Sequence, residues 1–173
     1  PGCSPPTRFR VRNRIPAGHT QSCPDIYSER HIRMSQTTPT HRRIRPFNTR
    51  ETYPEQNLDN DLCQAVVAGN TIYLRGQVPQ DLDTRENVAV GDPVGQTEKV
   101  ASNIAMLLSE AGGELRHICK VTVYLTDIRH REAVYRTLGR HFKGVFPVFT
   151  GLVVVALARP EWLVEVDVIA VLD

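Results

Sequence analysis

The hydrophobic and polar positions of the C-terminal two-thirds of the chain follow patterns that predict five strands. Two β-type runs flank Ala68-Gly69-Asn70, which is typical of a tight hairpin turn. Residues 118–125 alternate between apolar and polar, as in a strand with one buried face, and two later runs are almost continuously apolar. The predicted strands cover residues 62–67, 71–74, 118–125, 152–157 and 163–172.

Two further segments predict helices. Asp92 followed by Pro93 is typical of a helix start, with the aspartate as N-cap and the proline in the first turn. Apolar residues then recur at helical spacing until Gly112-Gly113, where the helix is expected to end. This apolar face consists of Val100, Ile104, Leu107, Leu108 and Ala111. A second helix is predicted between a cap at Asp127 and Gly144. Its inner face carries Val134, Leu138 and Phe142.

The element order β-β-α-β-α-β-β predicts an α+β fold, a sheet with two helices on one face. Residues 79–92 are polar and are expected to form a loop. The strand runs contain more apolar surface than two helices can cover. Because exposed apolar surface costs about 25 cal/mol per Å², the other sheet face is expected to be covered by further copies of the chain.

The charge is distributed unevenly along the chain. Residues 1–50 contain ten of the 21 Lys and Arg residues but only two of the 19 Asp and Glu residues, so a basic arm precedes an acidic domain. The arm is poor in periodic apolar residues, which predicts a mostly disordered segment over residues 1–45 and a folded domain over 46–173. Met34 is a candidate start that would make residues 1–33 an upstream extension. Phosphate binding by the arm and a simple solvated tail are both open, but no aromatic interleaving supports the first.

Composition also bears on the cellular environment. No segment approaches the roughly 20 apolar residues of a membrane span, and the N-terminus lacks the apolar core of a secretory signal. The four cysteines show no CxxC spacing, which favours a reducing cytoplasm over a disulfide framework or zinc site. The histidines show no metal-ligand spacing, and no nucleotide or dinucleotide fingerprint is present, so neither a metal nor a cofactor is predicted.

Glu165 is the first candidate for chemistry. It lies with Asp167 on one face of an otherwise apolar strand, where a carboxylate loses hydration unless it is paired. Such a group could serve as a general acid or base, or as a ligand for a reacting water. An exposed or inter-subunit strand face with two solvated acids is the alternative. Gly76, directly after a strand, is the second candidate because glycine permits close approach of a ligand to the backbone.

These segments resemble the Rid family (reactive intermediate deaminase, also called YjgF or L-PSP) over residues 61–172. Arg75-Gly76-Gln77-Val78-Pro79 is similar to the family corner Ser-Gly-Gln-(Ile/Val)-Pro, whose glycine N–H binds ligand. The final strand resembles Ile-Glu-Ile-Glu-Ala-Ile-Ala, in which the first glutamate contacts the catalytic water, and that glutamate aligns with Glu165. The resemblance implies a homotrimer with three pockets between subunits.

The resemblance also locates departures in the pocket. Where active members have Phe-Pro-x-Arg-Ser, with an arginine that binds the substrate carboxylate, this chain has Phe149. The family tyrosine that packs on the ligand aligns with Leu62, and the cysteine that follows Arg-Ser aligns with Gly151. Arg75 replaces the pocket serine, and Tyr135 is also assigned to the substrate-binding residues. Arg75, Arg159 and Arg140 are candidates to supply the missing positive charge, unless they are solvated surface residues.

Three functions follow from the resemblance as hypotheses. The first is hydrolytic deamination, or a related water addition, on a small enamine-like or imine-like metabolite other than 2-aminoacrylate. The second is non-catalytic binding of a small metabolite. The third is ribonuclease or translation-inhibitor activity, against which the acidic domain argues because phosphate binding favours a positive surface.

Overall fold

The computed structural model describes residues 41–173, which form a six-stranded mixed sheet with two long helices. The strands are β1 His41–Asn48, β2 Asp61–Ala68, β3 Thr71–Gln77, β4 Ile118–Leu125, β5 Val148–Val153 and β6 Val164–Val171. The α-helices are α1 Thr49–Thr52, α2 Pro93–Ala111 and α3 Arg131–His141. The strand order is β1-β2-β3-β6-β4-β5, and every neighbouring pair is antiparallel except β4–β5.

The ends of α2 are those that the sequence predicts. The Asp92 side chain accepts a hydrogen bond from the Val94 N–H, Pro93 occupies the first turn, and Gly112 ends the helix at φ +86°. Asp127, the predicted cap of the second helix, caps a short 3₁₀ turn at Ile128–His130 by accepting a hydrogen bond from the Arg129 N–H, and this turn leads into α3. No helix within residues 41–173 is both long and apolar enough to cross a membrane.

The helices α2 and α3 cover one face of the sheet, and the hydrophobic core lies between these helices and that face. On β6, Val164, Val166 and Val168 are buried under the helices, whereas Glu165 and Asp167 point to the other face. Ile104, Leu107 and Leu108 of α2 and Val134 and Leu138 of α3 fill the same core. Nothing within residues 41–173 covers the face opposite the helices, which we call the open face.

The first strand corrects the predicted domain boundary. Residues 41–45, assigned from sequence to the basic arm, belong to β1, which pairs with β2 from His41 to Asn48. The charge pattern obscured this strand because its arginines find partners within the domain. Arg45 forms ion pairs with Asp83 and Glu110, and Arg42 donates to backbone carbonyls at the end of α2. The rest of the predicted arm lies outside the described residues.

We expect β1 to be required for stability. Ile44 is only 8% exposed and packs in the core, and β1 forms an entire edge of the sheet. Deleting residues 1–48 should lower the melting temperature by about 10 °C or more, since burial of one large aliphatic side chain alone contributes about 1.5–3 kcal/mol. Thermal denaturation of this variant beside one lacking residues 1–40 isolates the effect of β1. Equal melting temperatures would show that β1 is dispensable.

The fifth strand differs from its predicted position. The continuous apolar run predicted a covered strand over residues 152–157, but β5 covers Val148–Val153 and all six residues are exposed. Among the described residues, β5 is an edge strand that pairs only with β4, in parallel from Lys120 to Leu125. Its length is set by that partner and not by its own apolar run, which continues beyond the strand as Val154 and the fully exposed Val155.

Candidate functional site

Glu165 lies at the centre of the open face. It is half-buried in β6, directly across the ladder from Tyr124 of β4. Its other neighbour is β3, where the register shifts between Leu74 and Gln77, so that β3 has one residue more than β6 at this point. Such a bulge bends a strand and redirects its side chains. Here it contains Arg75 and Gly76.

Gly76 and Glu165 are in direct contact. A Cβ atom built on Gly76 would lie 2.0 Å from Oε1 of Glu165 and 3.0 Å from Oδ1 of Asp167. Any side chain at position 76 would therefore displace the Glu165 carboxylate. Gly76 and Glu165, which the sequence indicated separately, therefore form one unit. Because Gly76 has no side chain, the Glu165 carboxylate can lie against the backbone at position 76.

The surroundings of Glu165 make its carboxylate a stronger proton acceptor than that of an exposed glutamate. Burial raises the pKa of Glu165, the nearby negative charge of Asp167 raises it further, and the positive charge of Arg75 acts in the opposite direction. Asp167 accepts a hydrogen bond from the Tyr124 hydroxyl at 2.9 Å, and this bond raises the pKa of Tyr124. A carboxyl group with a raised pKa, next to a space open to solvent, can exchange protons with a bound molecule.

Leu62 and Arg75 border the same region. Together with Tyr73 they line a groove on the surface of β2 and β3, and Leu62 is 42% exposed. The guanidinium carbon of Arg75 lies 5.4 Å from the centre of the Phe47 ring, an arrangement that allows a cation–π contact.

A second group of candidates lies at β5. The rings of Phe149 and Tyr135 meet edge to face, with centroids 5.0 Å apart. A Cβ atom on Gly151 would lie 1.7 Å from the Tyr135 hydroxyl oxygen. Tyr135 thus fills the volume that a side chain at position 151 would occupy, which makes Gly151 and Tyr135 a matched pair.

This second group forms one wall of a cleft between α3 and β5. The cleft has a volume of about 720 Å³, within the range of small-molecule sites. Its surface is mainly aromatic and aliphatic, and Phe146 at the rim is 92% exposed. Two cationic side chains lie at the cleft, Lys143 and Arg131, and the guanidinium of Arg131 is stacked 4.4 Å over the Tyr135 ring.

The two groups lie on opposite faces of the sheet. Phe149 and Gly151 pair with Val121 and Val123, which are buried under the helices, whereas Glu165 faces away from the helices. A single chain therefore does not assemble the set of residues that the sequence assigned to one pocket. Leu62, Arg75, Gly76 and Glu165 form one half, and Tyr135, Phe149 and Gly151 form the other.

Two of the arginines considered as replacements for the missing charge are already engaged. Arg159 forms an ion pair with Glu55 and lies within cation–π distance of Tyr53 and Trp162. Arg140 forms an ion pair with Glu98 at 2.6 Å. Within residues 41–173, no group of three or more His, Cys, Asp or Glu side chains could hold a metal ion.

The sequence pointed to neither Tyr124 nor Arg131. Tyr124 could have been found from strand alternation, because it lies on the polar face of β4 that meets the polar face of β6. Arg131 follows a 3₁₀ turn that the sequence does not signal, so its position at the cleft could not be predicted from spacing.

Comparison with known proteins shows the family of the chain. The sequence profile of the family described as Endoribonuclease L-PSP matches residues 56–172. Protein DfrA of Myxococcus xanthus is 39% identical over 106 residues, which are 61% of this chain and 79% of DfrA. A 2-iminobutanoate/2-iminopropanoate deaminase of Capra hircus is 33% identical over 108 residues, which are 62% of this chain and 77% of the goat protein.

A solved structure shows the same fold. RidA from the Antarctic bacterium Psychrobacter sp. PAMC 21119 superposes with a TM-score of 0.60 at 31% identity, covering 64% of this chain and 88% of that protein. The fold class is thus the α+β fold of the Rid proteins. The chain belongs to the L-PSP endoribonuclease family, also called the Rid or YjgF family, as its glycine corner and final strand had indicated.

Proposed function

We propose that the protein catalyses hydrolytic deamination, or a related water addition, on a small imine-like or enamine-like metabolite. The observation that carries this proposal is the contact between Gly76 and the half-buried Glu165, whose pKa is raised by burial and by Asp167. This contact places the proton-accepting carboxylate of Glu165 beside the backbone of Gly76, on the open face of the sheet, where a ligand can reach both. The goat relative is named as a deaminase of 2-iminobutanoate and 2-iminopropanoate, which supports the same type of reaction here.

The proposed chemistry needs only a water molecule and one carboxylate. Glu165 accepts a proton from the water as its oxygen bonds to the carbon of a protonated C=N group, which yields a carbinolamine. Glu165 then returns the proton to the nitrogen. As the C–N bond breaks, the hydroxyl group gives its proton to Glu165 and becomes the carbonyl, ammonia and the carbonyl compound leave, and Glu165 releases the proton to solvent. The Gly76 N–H is assigned as a donor to the bound molecule. Neither metal nor cofactor is required for this sequence of steps.

The complete pocket is proposed to form between copies of the chain. The Glu165 half and the Phe149 half lie on opposite faces of one sheet, so only a second copy can bring both to one ligand. The exposed apolar residues of β5 and of the open face, such as Val148, Leu152 and Tyr73, support such an interface. The proposed assembly is a homotrimer with three equivalent pockets.

We expect light scattering to show a trimer at micromolar concentration. Leaving the open face and β5 in water would cost about 25 cal/mol per Å² of apolar surface, which favours association. A stable monomer under these conditions would contradict the assembly and, with it, the shared pocket.

The proposed substrate is not the usual 2-aminoacrylate. Phe149 cannot form the charged pair with a substrate carboxylate that an arginine provides at this position. The cleft between α3 and β5 offers an aromatic surface and about 720 Å³ instead. Both features favour a substrate with an apolar group.

The central test is Glu165→Gln. We expect this change to lower kcat by a factor of about 10² to 10⁴, the usual contribution of a general acid or base, while the melting temperature stays close to that of the unchanged protein. The rate should also fall as the pH drops through the raised pKa of Glu165, because the carboxylate form is the one that accepts the proton. Asp167→Asn removes a negative charge that raises this pKa, so the acid limb should move to lower pH. Unchanged turnover in Glu165→Gln would refute the proposal.

Non-catalytic binding of a metabolite is the second candidate. The observation in its favour is the aromatic contact of Phe149 with Tyr135, in the place where active members hold a charge. In this case the protein binds a metabolite without converting it. Glu165→Gln would then change the ligand affinity, and neither the variant nor the unchanged protein would form product. Product formation under single-turnover conditions distinguishes the two candidates.

A further inference from the structure

Two guanidinium groups converge on one aromatic ring beside the Gly76–Glu165 unit. The guanidinium carbon of Arg75 lies 5.4 Å from the centre of the Phe47 ring, and that of Arg85 lies 5.9 Å from the same centre. Arg75 comes from the bulge of β3, and Arg85 comes from the loop between β3 and α2. Both side chains border the same small cavity, which Gly76 also lines.

Both guanidinium groups have unused capacity for anions. Within the described part of the chain, neither Arg75 nor Arg85 forms an ion pair or a side-chain hydrogen bond. Two carboxylates of the same loop are paired with other residues, Asp81 with Lys99 and Asp83 with Arg45. Glu86 of that loop is exposed and forms no ion pair with either arginine. Glu165 influences Arg75 through its charge, but their nitrogen and oxygen atoms are not within the 4 Å of an ion pair. Because both arginines line one cavity, an anion bound against the two guanidinium groups would offset their mutual repulsion.

The backbone at Arg85 supports a functional role. Arg85 has φ +66°, in the left-handed region that favours glycine and asparagine. This conformation is strained for an arginine, and the side chain forms no ion pair within residues 41–173 that would offset the strain. Strained positions of this kind cluster at ligand sites.

The small cavity under Gly76 restricts where a ligand can bind. Its volume of about 10 Å³ admits a single water molecule. Its wall includes the buried Asn103, whose Oδ1 has no hydrogen-bond donor and would accept from such a water. A larger anion must therefore lie at the surface of this cavity, against the guanidinium groups.

We propose that Arg75 and Arg85 together bind an anionic group of the substrate, on the same side of the pocket as Glu165. The substrate class is an organic anion whose charged group is separated from the reacting carbon by several bonds. This separation follows because Arg75 is directed toward Phe47 and away from ion-pair contact with Glu165. The inference rests on the proposed function for the position of the reacting carbon. An arginine at position 149 would reach the ligand from the other half of the pocket, so this binding mode is distinct.

The test uses the intact chain and two probes that differ by one carboxylate. Both 2-oxoglutarate and 2-oxobutanoate carry a carboxylate next to the carbonyl, but only 2-oxoglutarate has a second, distant one. Calorimetry should show that 2-oxoglutarate binds at least roughly tenfold more tightly than 2-oxobutanoate, which is the gain expected from one charge-assisted pair. Equal affinities, or no binding of either probe at millimolar concentration, would overturn the proposal.

Variants assign the binding to the two arginines. Arg75→Gln and Arg85→Gly should each weaken 2-oxoglutarate binding roughly tenfold and leave 2-oxobutanoate nearly unaffected. Arg85→Gly should not lower the melting temperature, because glycine accepts the positive φ without strain. Arg136→Gln is the matched control, since it removes the same charge from an exposed site on α3. Loss of binding in all three variants, or in neither Arg75→Gln nor Arg85→Gly, would overturn the assignment. Weaker binding accompanied by a large fall in melting temperature would assign the pair to packing on Phe47 instead.

Glu165→Gln separates this proposal from the function on which it rests. In the same calorimetric assay this variant should bind 2-oxoglutarate at least as tightly as the unchanged protein, because it removes a nearby negative charge. If Glu165→Gln abolishes turnover but the arginine variants bind normally, the anion site alone fails. If the arginine variants lose binding but Glu165→Gln retains turnover, the deaminase proposal alone fails.

Discussion

Imines of simple amino acids should be hydrolysed at rates at least about a hundredfold below those of family members that have an arginine at the position of Phe149. The reason is that a phenyl ring at position 149 cannot form the bidentate pair with a substrate carboxylate that the family resemblance implies for an arginine there. The charged hydrogen bonds of such a pair contribute about 1.5–3 kcal/mol each. The measurement is the rate of disappearance of imines that an amino-acid oxidase generates from alanine or 2-aminobutyrate. Rates equal to those of such family members would contradict this expectation and would mean that Arg75 and Arg85 fully replace the missing arginine.

Phe149→Arg is the complementary variant. If Gly76 and Glu165 are correctly placed, the new guanidinium should raise the rate on simple imines by tenfold or more, about the value of one charge-assisted pair. Val148→Arg is a matched control, because it adds the same charge at the neighbouring exposed residue of β5, whose side chain points to the opposite face. No gain in Phe149→Arg would indicate that the Tyr135–Gly151 pair prevents a carboxylate from reaching position 149.

Gly76→Ala should remove turnover while preserving the fold. The added Cβ would lie 2.0 Å from Oε1 of Glu165, so the carboxylate must rotate away from the backbone. We expect kcat to fall by a factor of about 10² or more, close to the effect of losing the carboxylate itself. The melting temperature should change by only a few degrees, because the displaced atom is the end of a flexible side chain and alanine is the better strand residue by about 0.5–1 kcal/mol.

A second substitution separates steric displacement from other effects of Gly76→Ala. In Glu165→Ala the conflicting carboxylate is absent, so adding Gly76→Ala should change neither the residual rate nor ligand affinity further. If the two changes lower the rate independently, the glycine contributes through its own N–H or through strand geometry. That result would assign Gly76 a binding role separate from the position of Glu165.

Local signals in the sequence predicted most of the fold. Asp92, Pro93 and Gly112 determine the ends of α2 through hydrogen bonds and backbone angles that lie within a few residues. The alternation of β6 likewise predicted that Glu165 and Asp167 share a face. The strands β1 and β5 were missed or misplaced because each is defined by its partner strand. Because Arg42 and Arg45 resemble the basic residues before them, β1 was assigned to the charged arm. The apolar run that predicted β5 extends past the last residue of β5 that pairs with β4.

The site was predictable as residues but not as geometry. Glu165 and Gly76 carried signals of their own, a carboxylate in an apolar strand and a glycine at a strand end. Their contact depends on the bulge in β3, and the sequence pattern did not predict where the register of β3 shifts. The separation of Phe149 from Glu165 depends on sheet order, a property of long-range pairing. Arg85 gave no signal, because arginine is not a residue that typically marks a left-handed turn.

In the proposed trimer, the exposed β5 edge would link the stability of the protein to its concentration. A strand with unpaired backbone groups and exposed Val148, Phe149, Leu152 and Val153 is a template for strand addition by any other extended chain. Association with its own copies would withdraw this edge from such encounters, and by mass action the melting temperature would rise with protein concentration. During synthesis, when few copies are present, the same edge would be exposed to aggregation and would benefit from chaperone protection.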